Sequence, residues 1–155
     1  MLVLAFFATA QASSNVALPL YPQAPTHEEL AANLAQWLRH ADEPQNGEIN
    51  IQVLEVVGAY AKPFLRDGGS VILVAHAGAG DTGAAMNKRR LHNIRAFLTG
   101  YPAVPENAIV ATVGEPVSGL GRVDIYVGGK LVARLSVKGN RDLRVTGDDI
   151  DPRYY

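Results

Sequence analysis

Most of the groups with which this chain could do chemistry fall in one stretch, Gly69 to Ala96, GSVILVAHAGAGDTGAAMNKRRLHNIRA. It holds His76, Asp81, Lys88, Arg89, Arg90, His92 and Arg95. His76 with Asp81 and His92 would be the material of an acid/base site, and Ser70 and Ser118 are available hydroxyls, but none has the spacing of a nucleophile motif. Enzyme activity is therefore not expected. Gly78-Ala79-Gly80-Asp81-Thr82-Gly83 is a formal GxGxxG, the arrangement that offers backbone N–H groups and a helix N-terminus to a pyrophosphate. That fingerprint also needs an acidic residue ending a second parallel strand to hold the ribose. Here Glu106 precedes the next strand, Glu115 comes late beside Pro116, and there is no length for a second half-domain. The glycines read instead as a turn that lets backbones approach closely, and no cofactor is expected.

These residues need a strand, a loop and a helix to position them. Ser70 to Ala75 is a short apolar, β-branched run bounded by glycines, hence a buried strand. Asp81 or Thr82 is placed to cap the helix that follows, a side-chain oxygen accepting from the orphan N–H groups of the first turn. Within that helix Asn87, Leu91, Ile94 and Leu98 form one stripe, while Arg89, His92 and Asn93 point away from it. Arg95 falls on the flank beside Lys88. A flank position next to a loop at a strand's C-terminal end is well placed to meet a ligand.

The chain has 155 residues, 48% hydrophobic and 19% charged, which is enough for one domain with its own core. A formal charge of −1 gives no reason to expect nucleic acid as a partner, so Lys88-Arg89-Arg90 with Arg95 reads as a solvated helix face. The absence of cysteine excludes disulfides, thiolate metal sites, cysteine nucleophiles and an acylated cysteine.

In chain order, residues 1–12, MLVLAFFATAQA, form a short apolar segment ending in Ala10-Gln11-Ala12, a small-x-small pattern that reads as a signal peptide without a basic n-region. It is too short to span a bilayer. Residues 13–25 are a proline-containing linker. Thr26-His27-Glu28-Glu29 fits a capping box, and Leu30, Leu34, Trp37 and Leu38 continue at helical spacing to about Ala41. His27 and His40 are expected at the surface, with nothing nearby to complete a metal shell. Asp42 to Gly47 is a loop. Asn50 to Leu65 is assigned to a helix, in which Pro63 implies a kink or an early end. After the central helix come a loop over Gly100–Asn107, a strand over Ala108–Val113 and a glycine-containing connection. A hairpin follows, with strands Arg122–Val127 and Leu131–Val137 about Gly128-Gly129. Residues 138–155 form a charged tail in which Leu143–Thr146 could add a short strand.

Taken in order, GGSVILVAHAG, LHNIRAFL, IVATVGEP and GRVDIYV resemble the OmpA-like C-terminal domain, over roughly Val53 to Val127. In that family the pieces are a strand ending in G-H-T-D, a helix with N-x-x-L-S-x-x-R-A, a strand with G-x-G-E and a final R-R-V-x-I strand. Leu91, Arg95, Ala96, Gly114, Glu115, Arg122, Val123 and Ile125 match. His76 is followed by Ala77-Gly78 where Thr-Asp would stand, the loop is longer, His92 replaces a serine, and strict register puts Lys88 rather than Asn87 in the asparagine position.

The resemblance implies an α/β sandwich of βαβαββ type, with helices on one face of a small mixed sheet and an extra N-terminal helix, occupying residues 26–137. It also implies a non-catalytic periplasmic protein of a Gram-negative envelope that holds peptidoglycan through the diaminopimelate end of its stem peptide. Asp81 would take the ligand's ammonium and Arg95 its carboxylate, with Asn87 and Lys88 beside them. The alternative is the same scaffold without that site, serving as a protein-interaction part of an envelope assembly.

Overall fold

A computed structural model describes residues 48–146, together with Thr26, Glu28, Glu29 and Ala32. The signal peptide, the linker, the loop over 42–47, the end of the tail and all but the start of the N-terminal helix, each an expectation from the sequence, lie outside the described residues. That start is a capping box. The Thr26 N–H and hydroxyl donate to Glu29 Oε2 at 2.7 and 3.0 Å, and the Glu29 N–H returns a bond to Thr26 Oγ1 at 3.2 Å. The Thr26 donors hold the Glu29 carboxyl below its ordinary range.

The element order is β1 (Glu48–Asn50), α1 (Ile51–Arg66), β2 (Val71–His76), α2 (Ala84–Gly100), β3 (Ile109–Val113), β4 (Gly121–Val127), β5 (Lys130–Val137) and β6 (Arg144–Thr146), with a 3₁₀ turn at Glu106–Ala108. This is βαβαββ followed by two further strands. The main sheet has four strands in the order β3-β2-β4-β5, with β2 parallel to β3 and antiparallel to β4. The first strand does not join it: β1 pairs in parallel with β6 in a separate ladder. Gly128 and Gly129 turn the β4–β5 hairpin with φ of 57° and 76°, the paired positive values that a two-residue turn of this hand demands.

Alternation along the strands assigns the faces. Val71, Leu73 and Ala75 of β2 are fully buried, while Ile72, Val74 and His76 on the opposite face are half-buried. The buried set forms one cluster with Leu54, Val57 and Ala61 of α1 and Leu91, Ile94 and Leu98 of α2, so both helices lie on the same face of a mixed α/β sandwich. Each fully buried aliphatic side chain here contributes about 2 kcal/mol.

The helix assigned from the sequence over Asn50–Leu65 is present as α1, and Pro63 does not end it early: the helix runs through the proline to Arg66, because its apolar stripe continues to Phe64 and Leu65, which pack against the core. The packed body continues beyond Val137, where the charged tail was expected to begin: Leu143 is fully buried, and the short strand expected over Leu143–Thr146 is β6, which pairs with β1.

Candidate functional site

The strand β2 delivers the chain into the loop 77–83, and the loop is fastened on two sides. On one side the Ala79 N–H donates to the Gly119 carbonyl at 3.0 Å, and the Val117 N–H donates to the Ala77 carbonyl at 2.8 Å. On the other side Asn140 accepts from the Thr82 hydroxyl and backbone N–H at 2.7 and 3.3 Å. The residue at the N-cap of α2 is Gly83, with φ of 80° and no side-chain cap. Neither Asp81 nor Thr82 caps the helix, because both side chains are already used in these loop contacts.

Asp81 instead faces Arg90, one helical stretch further on, and the two side chains are completely buried. Oδ2 of Asp81 accepts from Arg90 Nη1 at 2.7 Å and from the Gly78 N–H at 2.8 Å. Oδ1 accepts from Arg90 Nη2 at 2.8 Å and from the Asn140 N–H at 2.9 Å. Arg90 completes its own donor set on the Arg141 carbonyl, through Nε at 3.0 Å and Nη2 at 2.7 Å, and on Asn87 Oδ1 at 3.4 Å. Such a bidentate, charge-assisted pair with every remaining donor and acceptor satisfied is the arrangement in which a buried ion pair is tolerated.

Burial opposes ionisation of Asp81, but the Arg90 hydrogen bonds, the two backbone N–H groups and the Arg90 charge outweigh it and lower its pKa to about 2. A carboxylate whose folded pKa lies below its unfolded value stabilises the fold at and above about pH 4, and that stability is lost as pH falls towards 2. The drop from the ordinary 3.8 to about 2 is worth about 2 kcal/mol. Denaturant titrations at a series of pH values should therefore show the wild type losing about 2 kcal/mol more than Asp81→Asn between pH 5 and 2. Parallel curves would assign the acid sensitivity to other groups.

Of the residues expected from the sequence, Asp81 and Asn87 are brought together, with Arg90 between them. Lys88 is exposed and has no ion-pair partner among the described residues. Arg95 stands on the flank of α2, where its Nη2 meets Glu106 Oε1 at 3.2 Å, with the two side chains 40% and 76% exposed. Its Nε is buried and has no hydrogen-bond partner. The cation beside Asp81 is thus Arg90 and not Arg95, and the group assigned to a solvated face is the most enclosed charge of the helix. Arg90, Asn140 and Arg141 are the residues that the sequence reading missed. Arg90 was reachable, since it follows Asn87 by three positions and precedes Ile94 by four, on the stripe that packs inward.

A second polar cluster lies on the other face of the sheet. Asp124 is buried and accepts from Arg134 Nε at 2.8 Å, with Arg122 Nε at 3.4 Å and His76 Nε2 at 3.6 Å. His76 Nδ1 lies 2.7 Å from the Glu115 carbonyl, so it carries the proton that donates there. With Nδ1 used on a carbonyl and Nε2 turned to a buried carboxylate, His76 presents no ring nitrogen to a substrate. Among the described residues no group of His, Asp and Glu could hold a metal ion, and no helix is long and apolar enough to cross a membrane.

Compared with family models, with curated proteins and with solved structures, the chain matches none.

Proposed function

We propose that this chain is a non-catalytic scaffold of the OmpA-like kind, acting as a protein-interaction part of a Gram-negative envelope assembly in the periplasm. The ordered run of strand, loop, R-A helix and G-E strand supports the scaffold. One observation carries the choice against peptidoglycan anchoring: both oxygens of Asp81 are filled by Arg90 and two backbone N–H groups, and its side chain has no exposed surface. An ammonium ligand would have to displace Arg90 and leave a buried guanidinium unpaired, which costs several kcal/mol. The anchoring reading retains one favourable feature, since the guanidinium of half-exposed Arg95 can donate to a ligand carboxylate in place of exposed Glu106.

Sedimentation with diaminopimelate-type sacculi separates the two. The wild-type protein should remain in the supernatant. Co-sedimentation that Arg95→Ala abolishes, while Arg89→Ala does not, would reinstate the peptidoglycan reading.

A further inference from the structure

A cleft of about 350 Å³ lies at the far end of α2 from Asp81, lined by Glu55, Ala59 and Lys62 of α1 and by Tyr101, Pro102 and Ala103. Its helical wall is one stripe, since positions i, i+4 and i+7 share a face. Its other wall is held firmly. The Tyr101 N–H donates to the Phe97 carbonyl and the Val104 N–H to the Leu98 carbonyl, each at 2.8 Å, and Ala103 is held at φ 62°, a left-handed conformation costly for a residue with a Cβ. Gly58 lets Pro102 pack directly against α1.

The polar groups of this cleft are unused. Glu55, Lys62 and the Tyr101 hydroxyl have no hydrogen-bond or ion-pair partner among the described residues, and the Tyr101 side chain is left largely in solvent, 59% exposed. Pro63 has no N–H to give the Ala59 carbonyl, four residues earlier on the cleft wall. A carboxylate and an ammonium therefore stand seven residues apart on one stripe, about 10 Å along the helix axis, beside an exposed aromatic ring and a proline.

That spacing selects a ligand conformation. A polyproline II helix rises about 3.1 Å per residue and returns every third side chain to the same face, so side chains three apart lie about 9 Å apart on one side. Prolines between them would pack on Tyr101 and Pro102, as proline-rich segments do in aromatic-lined grooves. We propose that this cleft binds a proline-rich segment of a partner protein that carries a basic residue, set on Glu55, and an acidic residue three positions away, set on Lys62. The proposal rests on the interaction-scaffold reading and supplies the partner's chemistry.

The probe is a fluorescein-labelled peptide, Ala-Pro-Arg-Pro-Pro-Glu-Pro-Ala, titrated with the full chain and followed by anisotropy. Saturable binding is expected, with Kd on the order of 100 μM or tighter. Removing the ring in Tyr101→Ala should weaken it about tenfold. Glu55→Lys should weaken it about threefold or more, and the charge-swapped peptide with Glu first and Arg second should recover the loss on a Glu55→Lys, Lys62→Glu double variant. Moving the acidic residue one position closer should remove the gain. No saturable binding, binding indifferent to Tyr101→Ala and Glu55→Lys, or equal binding of the shifted peptide would each overturn the proposal. Thermal melts of the variants guard against misfolding. Failure here leaves the sacculus result standing, because that test is read at Arg95, which is not among the residues lining the cleft, and with a different ligand.

Discussion

Asp81→Ala is expected to lower the free energy of unfolding by about 3–5 kcal/mol, a large part of the 5–15 kcal/mol typical of a single domain. The size comes from what is left behind. Arg90 has no exposed surface in the folded chain, so without Asp81 its guanidinium keeps a full charge away from water with only the Arg141 carbonyl and Asn87 to receive it. The Gly78 and Asn140 N–H groups lose their acceptor as well. Arg90→Met removes the opposite partner and leaves a buried carboxylate held by two backbone donors. The double variant Asp81→Ala, Arg90→Met should be more stable than the sum of the two losses implies, by at least about 2 kcal/mol, because no uncompensated charge remains. Denaturant unfolding of the four proteins measures this. Additive losses would mean that the two side chains act independently and that the loop is held by its backbone contacts alone.

This pair also marks where the sequence was readable and where it was not. Strand β2, the stripe Asn87, Leu91, Ile94 and Leu98, the Gly128-Gly129 hairpin and the Thr26–Glu29 capping box are all local signals, set by period, turn chemistry or side chains a few residues apart, and the structure carries each of them. Arg90, by contrast, occupies a buried helical position with a residue type that normally argues for solvent. What allows it inside is the meeting of Asp81 from the preceding loop with the helix and with the Arg141 carbonyl, which is distant in sequence. Residues 139–143 had the composition of a tail for a related reason: alongside the Asn140 side chain and buried Leu143, they contribute the Asn140 N–H and the Arg141 carbonyl, and backbone groups leave no trace in composition. Strand β1 was hidden by its shortness, three residues whose partner β6 lies nearly a hundred positions on. The GxGxxG pattern was legible as glycine-rich but ambiguous in purpose until the neighbours of each glycine were in view.

Gly78→Ala should destabilise the fold by about 3 kcal/mol, whereas Gly80→Ala, two residues along the same motif, should cost less than about 1 kcal/mol. A Cβ on Gly78 would run into the Gly121 nitrogen and would stand 2.6 Å from the Leu120 carbonyl carbon and 2.7 Å from the Gly119 oxygen. All of these are backbone atoms, with no rotamer by which to move aside. They are also tied to the loop, since Ala79 donates to that same Gly119 oxygen, so yielding means breaking the contact that joins loop 77–83 to the start of β4. A Cβ on Gly80 meets only Gly139 Cα at 3.3 Å, which a shift of a few tenths of an ångström relieves. Gly121, on the opposite side, is equally constrained: a Cβ there would strike Asp81 Oδ2 and lie 2.5 Å from Arg90 Nη1, so bare backbone at both glycines is what lets the ion pair close. The same contrast discriminates the roles of the motif. If its glycines existed to let a phosphate approach, the alanine variants would fold alike and differ only in ligand affinity. If they exist for backbone packing, the two variants separate by about 2 kcal/mol in denaturant unfolding, with Gly78→Ala the weaker fold.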